Sequence, residues 1–339
     1  GQLPRPERIR LANTPTPLEY CESFSKKWGR EIYLWRDDLT GFLLSGNKVR
    51  KLEFLLAEAK RTGADCLVTC GGEQSNHARA TAFAAQQLGL ACHIVTRLAA
   101  TPTEVSADDL PEANQFLMRQ AGASLHPVAF ADYQAAGGYE PFLKDLATKL
   151  RAEGRKPYVI PEGGSNALGL WGYIQAVSEL ADTPGAPWPA AGPDHIVTAV
   201  GSGGTLGGLH LGVAQKAWST KVVGFNVCDS AAFFQKQVGG LVTQALEKWQ
   251  LTPPTDPLAV IDGYVGEGYA QTTPAEMKFY QDCLKEAQVC LDPVYTGKAF
   301  RGLISTLRDK PERLPGRHIV FLHSGGLFAN FAFRRNWLG

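Results

Sequence analysis

Short apolar, β-branched runs alternate with longer helical patterns along this chain, and that alternation narrows its fold more than any other feature. The runs are 66–70 (CLVTC), 92–96 (CHIVT), 158–161 (YVIP), 195–200 (HIVTAV), 222–227 (VVGFNV) and 318–323 (HIVFLH). Strands separated by helices pair side by side in the same direction, so the pattern predicts parallel sheets flanked by helices. The clearest helix carries Val49, Leu52, Leu55, Leu56 and Ala59 on one face and stops at Gly63. A Pro-, Gly- and Ala-rich stretch at 181–193 cannot continue a helix and reads as a long loop or a linker. Several strand ends run into glycines: Gly71-Gly72, Gly163-Gly164, the Gly201–Gly208 segment and Gly325-Gly326. Ligands of open α/β sheets sit at the carboxyl ends of strands, so four such loops can converge on one ligand.

Charge gives the partner class. With 339 residues, 34 Lys+Arg against 33 Asp+Glu and 44% hydrophobic residues, the chain has room for two lobes or one large unit. It lacks the basic excess of a nucleic-acid binder, which leaves a small molecule as the expected partner. The seven cysteines are odd in number, and three fall in apolar runs, so they read as free thiols in a reducing compartment. No CxxC or HExxH spacing occurs, and no metal is expected. The opening GQLPRPERIR has no apolar signal region, and no run of about 18 apolar residues follows. The expected location is the cytoplasm, without a membrane partner.

Four segments carry candidate chemistry. In VTAVGSGGTLGGLHLGVA an apolar run, a glycine loop and a helical run follow one another, a pattern that cradles a phosphate on backbone N–H groups or simply makes a tight turn. It has no P-loop lysine and no convincing dinucleotide-binding spacing. In GGEQSNHARATAFAA, Gln74, Ser75, Asn76 and His77 occupy a strand-to-helix turn suited to a carboxylate, or Ser75 or Asn76 merely caps the helix. In LDPVYTGKAFRGL, Tyr295 is an acid/base or stacking group, or a buried Tyr with a satisfied hydroxyl; Tyr269 in GEGYA has the same two readings.

The fourth segment is SGNKVRKLEF, with three cations in four positions. A lysine at a helix start opposes the helix dipole by about 0.3–1 kcal/mol. Like charges at Arg50 and Lys51 add repulsion and favour the neutral amine, the nucleophilic form. Lys48 is a reagent or part of a solvated basic patch. Lys51, one turn on, can reach the same region and pair with a phosphate. Arg50 reads as a structural or solvated cation.

Together these segments resemble the fold-type II pyridoxal-phosphate enzymes that comprise D-cysteine desulfhydrase and 1-aminocyclopropane-1-carboxylate deaminase. The resemblance rests on TPTPLE, RDDLTG, GNKVRKLEF, GGEQSNH, IPEGGSNALG, GSGGTLGGL, GYA, LDPVYTGK and HSGG, in order and nearly end to end. It implies an α/β fold of two open, twisted, mostly parallel sheets flanked by helices, similar to the tryptophan synthase β subunit. A small domain would span 51–162, and a large cofactor-binding domain would combine 1–50 with 163–339. It also implies a homodimer.

The resemblance implies Lys48 as the lysine that binds pyridoxal 5'-phosphate covalently, with Asn76 beside the phenolic oxygen. Gly201, Ser202, Gly203, Gly204 and Thr205 would surround the phosphate, while Thr296 and Ser324 would lie near the pyridine nitrogen. Ser75 would hold the substrate carboxylate, with Tyr295 and Tyr269 lining the substrate pocket beside Asn76 and His77. QSNH and VYTGK follow the desulfhydrase pattern, whereas the deaminase pattern has Gln and Glu at positions 77 and 296. The implied reaction is α,β-elimination from a small amino acid, D-cysteine first, to pyruvate, hydrogen sulfide and ammonia. Opening of the cyclopropane amino acid and elimination from cysteate are the alternatives within the class. A nucleotide-binding oxidoreductase or a ligand sensor is the alternative outside it. Glu73 and Glu162 depart from the family pattern: they either recognise a cationic feature of the substrate or pair with nearby cations and water. Ser45 and Ala270 also replace usual glycines, which reshapes loops without removing chemistry.

Overall fold

The computed structural model describes residues 5–99 and 111–338; of the opening GQLPRPERIR, residues 1–4 lie outside them. Ten strands are present among the described residues: β1 (Leu18–Tyr20), β2 (Glu31–Arg36), β3 (Cys66–Gly72), β4 (Ala91–Arg97), β5 (Ser124–Val128), β6 (Pro157–Val159), β7 (His195–Val200), β8 (Lys221–Asn226), β9 (Ala259–Ile261) and β10 (His318–His323). They form a six-stranded sheet ordered β1-β2-β10-β7-β8-β9 and a four-stranded sheet ordered β5-β4-β3-β6. Every pairing is parallel except β1 with β2. The two mostly parallel, helix-flanked sheets are the expected fold class.

All six apolar runs are strands, each within two residues of its expected bounds. Their continuous apolar character has a cause: Ile196, Val197, Ile319, Val320, Phe321, Leu322, Leu67 and Val68 are all buried, because helices cover both faces of a parallel sheet. The strands β1, β2, β5 and β9 were not among the expected runs. β1 and β9 have three residues each, and β5 contains Pro127 and lies at a sheet edge. The 181–193 stretch follows the helix Trp171–Ala181 as a loop into β7, on the connection from β6 of the four-stranded sheet to β7 of the six-stranded one.

The helix Lys48–Arg61 positions the site. It packs on the helices Asn76–Gln87 and Trp171–Ala181. The contact with the second is close: a Cβ on Gly172 would come within 2.7 Å of the Arg50 carbonyl carbon. A core running through both sheets therefore holds the first turn of this helix in place. No helix among the described residues is long and apolar enough to cross a membrane.

Candidate active site

Lys48 opens its helix, and its N-cap Asn47 provides no side-chain cap. The Asn47 amide donates instead to Thr205 Oγ1 at 2.9 Å, and its backbone N–H donates to Ser324 O at 3.1 Å. The lysine is thus fastened to the glycine loop after β7 and the turn after β10. Lys48 Nζ lies 3.4 Å from Gly163 O and 3.2 Å from Ser202 Oγ. Lys51 Nζ reaches the same carbonyl at 3.2 Å and Ser165 Oγ at 3.4 Å. No described carboxylate lies within 4.0 Å of either amine. Burial pushes Lys48 down to about 8, against a hydrogen bond from Lys51 and the charge of Glu162. Lys51, fully buried, is pushed well below its ordinary value by burial and then by the Lys48 charge.

The glycine loop completes a hollow around these amines. Gly203 has φ +91 and precedes the helix Gly204–Gln215, so its backbone suits glycine alone. Ser165 Oγ donates to Ser202 Oγ at 2.8 Å and accepts from Gly204 N at 3.0 Å. A Cβ on Gly204 would stand 2.6 Å from Ser165 Oγ and 3.0 Å from Lys51 Nζ. One on Gly163 would stand 2.2 Å from Ser202 Oγ and 2.9 Å from Lys48 Nζ. Two amines, two hydroxyls and a helix N-terminus thus face a space that only glycine leaves open, with no carboxylate of the described residues in contact with the amines. This donor set fits a phosphate, and the neutral lysine beside it fits an aldehyde.

The opposite wall is the turn after β3. Ser75 Oγ caps the helix Asn76–Gln87, accepting from Ala78 N at 3.0 Å, and keeps its own proton for a ligand. Asn76 Oδ1 accepts from Asn114 Nδ2 at 2.9 Å, which leaves its N–H2 group to donate. Asn114, fully buried, also bonds Gln74 and accepts from Arg79 at 2.9 Å, so the turn is braced from behind. His77 is buried beneath this wall, unlike the partly exposed Ser75, Asn76, Tyr269 and Tyr295. Its Nε2 lies 2.8 Å from Thr69 Oγ1, whose own proton goes to Ile160 O at 2.8 Å. Nε2 therefore donates, and Nδ1 is a buried acceptor with no partner among the described residues. Burial, then the charges of Lys48 and Lys51, hold the ring well below its ordinary pKa and neutral.

Across the cleft, the Tyr295 and Tyr269 hydroxyls share a short hydrogen bond, with their rings 5.9 Å apart. Burial pushes Tyr269 up to about 12 and Tyr295 well above its ordinary value. Tyr295 packs on the glycine loop, since a Cβ on Gly201 would stand 2.8 Å from its ring. Asp292, buried, accepts from the backbone N–H groups of Val294, Tyr295 and Thr296, each at 2.9 Å, and sets the tyrosine's position. Thr296 donates its only hydroxyl proton to Asp292 at 2.6 Å. Any further bond it makes is as an acceptor. Ser324 is partly buried beside Gly46, where a Cβ would come 3.0 Å from its carbonyl oxygen.

The two unusual carboxylates differ. Glu73 accepts from the backbone N–H of Ala99 at 3.1 Å. Glu162 is exposed in the cleft, and surrounding protein raises its pKa by desolvation against the charges of Arg97 and Lys48. Arg97, Ser165, Asn47 and Asp292 were not among the expected site residues. Ser165, Asn47 and Asp292 lie inside the quoted GGSN, GNK and LDPVYTGK segments, and Arg97 lies in none. A separate cavity of about 720 Å³ lined by Arg8, Tyr20, Tyr33, Gln175 and Glu179 contains none of these residues.

Two desolvated amines beside a glycine cradle form an arrangement suited to a cofactor-dependent enzyme. Residues 9–325 match the family described as pyridoxal-phosphate dependent enzymes, and the chain belongs to that family. It is 41% identical over 319 residues, 94% of this chain and 77% of the other, to a mitochondrial bifunctional D-cysteine desulfhydrase/1-aminocyclopropane-1-carboxylate deaminase of Arabidopsis thaliana. It is 38% identical over 333 residues to a D-cysteine desulfhydrase of Salmonella choleraesuis, covering 98% of this chain and 97% of that one. A crystal structure of a 1-aminocyclopropane-1-carboxylate deaminase homologue superposes with a TM-score of 0.87 at 34% identity, covering 98% of this chain and 96% of the other.

Proposed function

We propose that this protein is a lyase that eliminates the β-substituent of a small amino acid, D-cysteine first, to give pyruvate, hydrogen sulfide and ammonia. The observation that carries the reading is the Lys48–Lys51 pair on Gly163 O, set against a glycine cradle. When bound, pyridoxal phosphate draws the electrons of the breaking Cα–H bond into its ring. Lys51, Ser202, Ser165 and the Gly201–Thr205 loop would hold the phosphate, and Asn76 would donate to the phenolic oxygen. Ser75 and nearby amides hold the substrate carboxylate. Lys48 Nζ takes the Cα proton, which an amine near pKa 8 does at neutral pH better than an ordinary lysine. The Cβ–S bond then breaks, with its electron pair leaving on sulfur and a proton available from the Tyr295–Tyr269 hydroxyl pair. The remaining enamine reacts with water to give the 2-oxo acid and ammonia.

Thr296 supports this branch over ring opening of the cyclopropane substrate. With its proton committed to Asp292, it offers a pyridine nitrogen no acid and no carboxylate, so negative charge on Cα is short-lived and prompt loss of a leaving group is favoured. The same reading includes two lobes, one spanning about 51–162 and the other built from 1–50 and 163–339, with the site in the cleft between them. It also includes a cytoplasmic homodimer.

A panel of D- and L-cysteine, cysteate and 1-aminocyclopropane-1-carboxylate, scored for 2-oxo acid, tests the assignment. D-cysteine is expected to give pyruvate and sulfide, and Lys48→Ala to lower the rate by about 10³-fold or more. A 2-oxo acid from the cyclopropane substrate alone would overturn the desulfhydrase reading.

A further inference from the structure

Arg79 lies one turn after Asn76 on the helix Asn76–Gln87, a spacing that puts the two residues on one side of the helix. It is almost wholly buried, at 1% exposure, and among the described residues no carboxylate oxygen comes within 4.0 Å of it. A buried guanidinium is ordinarily satisfied by a carboxylate, as Arg50 is. Arg79 donates instead to Asn114 Oδ1 from Nε at 2.9 Å, to Ser45 O at 2.8 Å and to Leu43 O. Desolvation lowers its pKa to about 10, which leaves it a cation and a donor at neutral pH. Leu43 and Ser45 belong to the loop that enters Lys48, so that loop fixes the guanidinium on one side while Asn114 meets it on the other.

A carboxamide has nearly the same shape at its oxygen and nitrogen ends, so its partners decide which way it faces. A guanidinium only donates, so Asn114 must turn its oxygen to Arg79. A backbone carbonyl only accepts, so Asn114 must turn its N–H2 group to Gln74 O, 3.0 Å away. The second proton of that group goes to Asn76 at 2.9 Å, and the atom that receives it is Oδ1. Two chemically unambiguous anchors therefore dictate the orientation of both amides. Asn114 is itself held, fully buried, with its backbone N–H on Gln74 Oε1 at 3.0 Å. Ala113 directly before it has φ +48, a left-handed conformation that a non-glycine residue keeps only where its surroundings impose it. None of this is needed to start the helix Asn76–Gln87, which Ser75 Oγ already caps.

We propose that Arg79 and Asn114 are positioning residues that lock the Asn76 carboxamide with its N–H2 group turned away from Asn114, as the donor to the phenolic oxygen of pyridoxal phosphate. The inference rests on the reading above that places Asn76 at that oxygen. A free amide could present either end, and its oxygen would repel the phenolic oxygen that its N–H2 group attracts. The relay removes the wrong orientation before the cofactor arrives. Because Arg79 also holds the carbonyls of Leu43 and Ser45, one guanidinium sets both the amide of Asn76 and the loop that delivers Lys48.

The test loads the full chain with pyridoxal phosphate or with its 3-deoxy analogue, which lacks the phenolic oxygen, and compares the two dissociation constants. Asn76→Ala is expected to lower the preference for pyridoxal phosphate about tenfold or more, the loss of one charge-assisted hydrogen bond. Asn114→Asp keeps an acceptor for Arg79 but offers Asn76 no donor, so it turns the amide round and should lower the preference at least as much. Asn114→Ser, which leaves Arg79 an oxygen and withdraws the amide, should lower it by less. Arg79→Met should act in the same direction, with Arg79→Lys restoring part of the preference through a single N–H donor. In an Asn76→Ala background no change at 79 or 114 should move the preference further, because the relay acts through Asn76. Variants at 79 and 114 that weaken both cofactors equally, or whose effects add to that of Asn76→Ala, overturn the proposal and assign the two residues to the scaffold. An Asn76→Ala variant that keeps the full wild-type preference overturns the placement of Asn76 at the phenolic oxygen, and the relay with it.

Discussion

Arg50 and Lys51 are adjacent on one helical turn, both are buried, and their surroundings are opposite. Arg50 donates to Asp37 through Nε at 2.7 Å and through a second nitrogen at 3.0 Å, and to Glu179 at 2.7 Å. Thr16 and Tyr173 hydroxyls complete the Asp37 network. Burial alone would lower the Arg50 pKa, but Asp37, Tyr173 and Glu179 raise it overall. Lys51, like Lys48, contacts a carbonyl, hydroxyls and the other amine but no carboxylate among the described residues, and both amines are shifted towards the neutral form. A buried cation with its counter-charge built in is architecture. One left without it is a site for an anion or a reagent that arrives from outside.

Breaking the Arg50 network should have the largest effect. Arg50→Met leaves Asp37 buried without its cation and should cost about 3–5 kcal/mol, read as a lower guanidinium midpoint at unchanged slope. A loss under about 1 kcal/mol would mean that Arg50 behaves as a surface charge. Lys51→Met removes no internal ion pair and should leave that midpoint nearly unmoved while weakening pyridoxal phosphate binding about 10- to 100-fold. Equal damage to stability would erase the contrast between the two cations. The smallest effect is one of pH. Lys48 is cationic below its pKa and nucleophilic above it, so the rate of cofactor capture by the apoprotein should rise with pH and level off near 8. A rise that continues towards 10.5, the ordinary lysine value, would show that burial does not tune this amine.

Much of this was legible in the sequence, for physical reasons that also mark where it stopped. Strands buried on both faces must be apolar throughout, so HIVTAV and HIVFLH announced themselves, whereas the short edge strand Leu18–Tyr20, partly exposed, has no such pattern. The helix Lys48–Arg61 followed from its spacing and its glycine stop. Lys48 as a reagent was one of two local readings. The choice came from distant segments that the fold does bring together: Gly163, Ser202 and Thr205 meet it or its N-cap across more than a hundred residues of chain. Ser75 proved to be both a helix cap and a wall of the cleft, so its two readings were not exclusive. Arg97 left no trace, because a cation at a strand end looks the same whether solvent or three aromatic rings surround it. His77 was expected to face the substrate, and its burial behind Thr69 depends on a partner in another strand that no local pattern encodes.

The central claim is that Lys48, and not its more deeply buried neighbour Lys51, is the lysine that joins the cofactor. Borohydride reduction of the holoenzyme followed by peptide mapping tests it directly. The phosphopyridoxyl label is expected on Lys48, in the peptide that spans the junction between Gly46 and the helix Lys48–Arg61. A label on Lys51, or on a lysine outside this helix, would contradict the account.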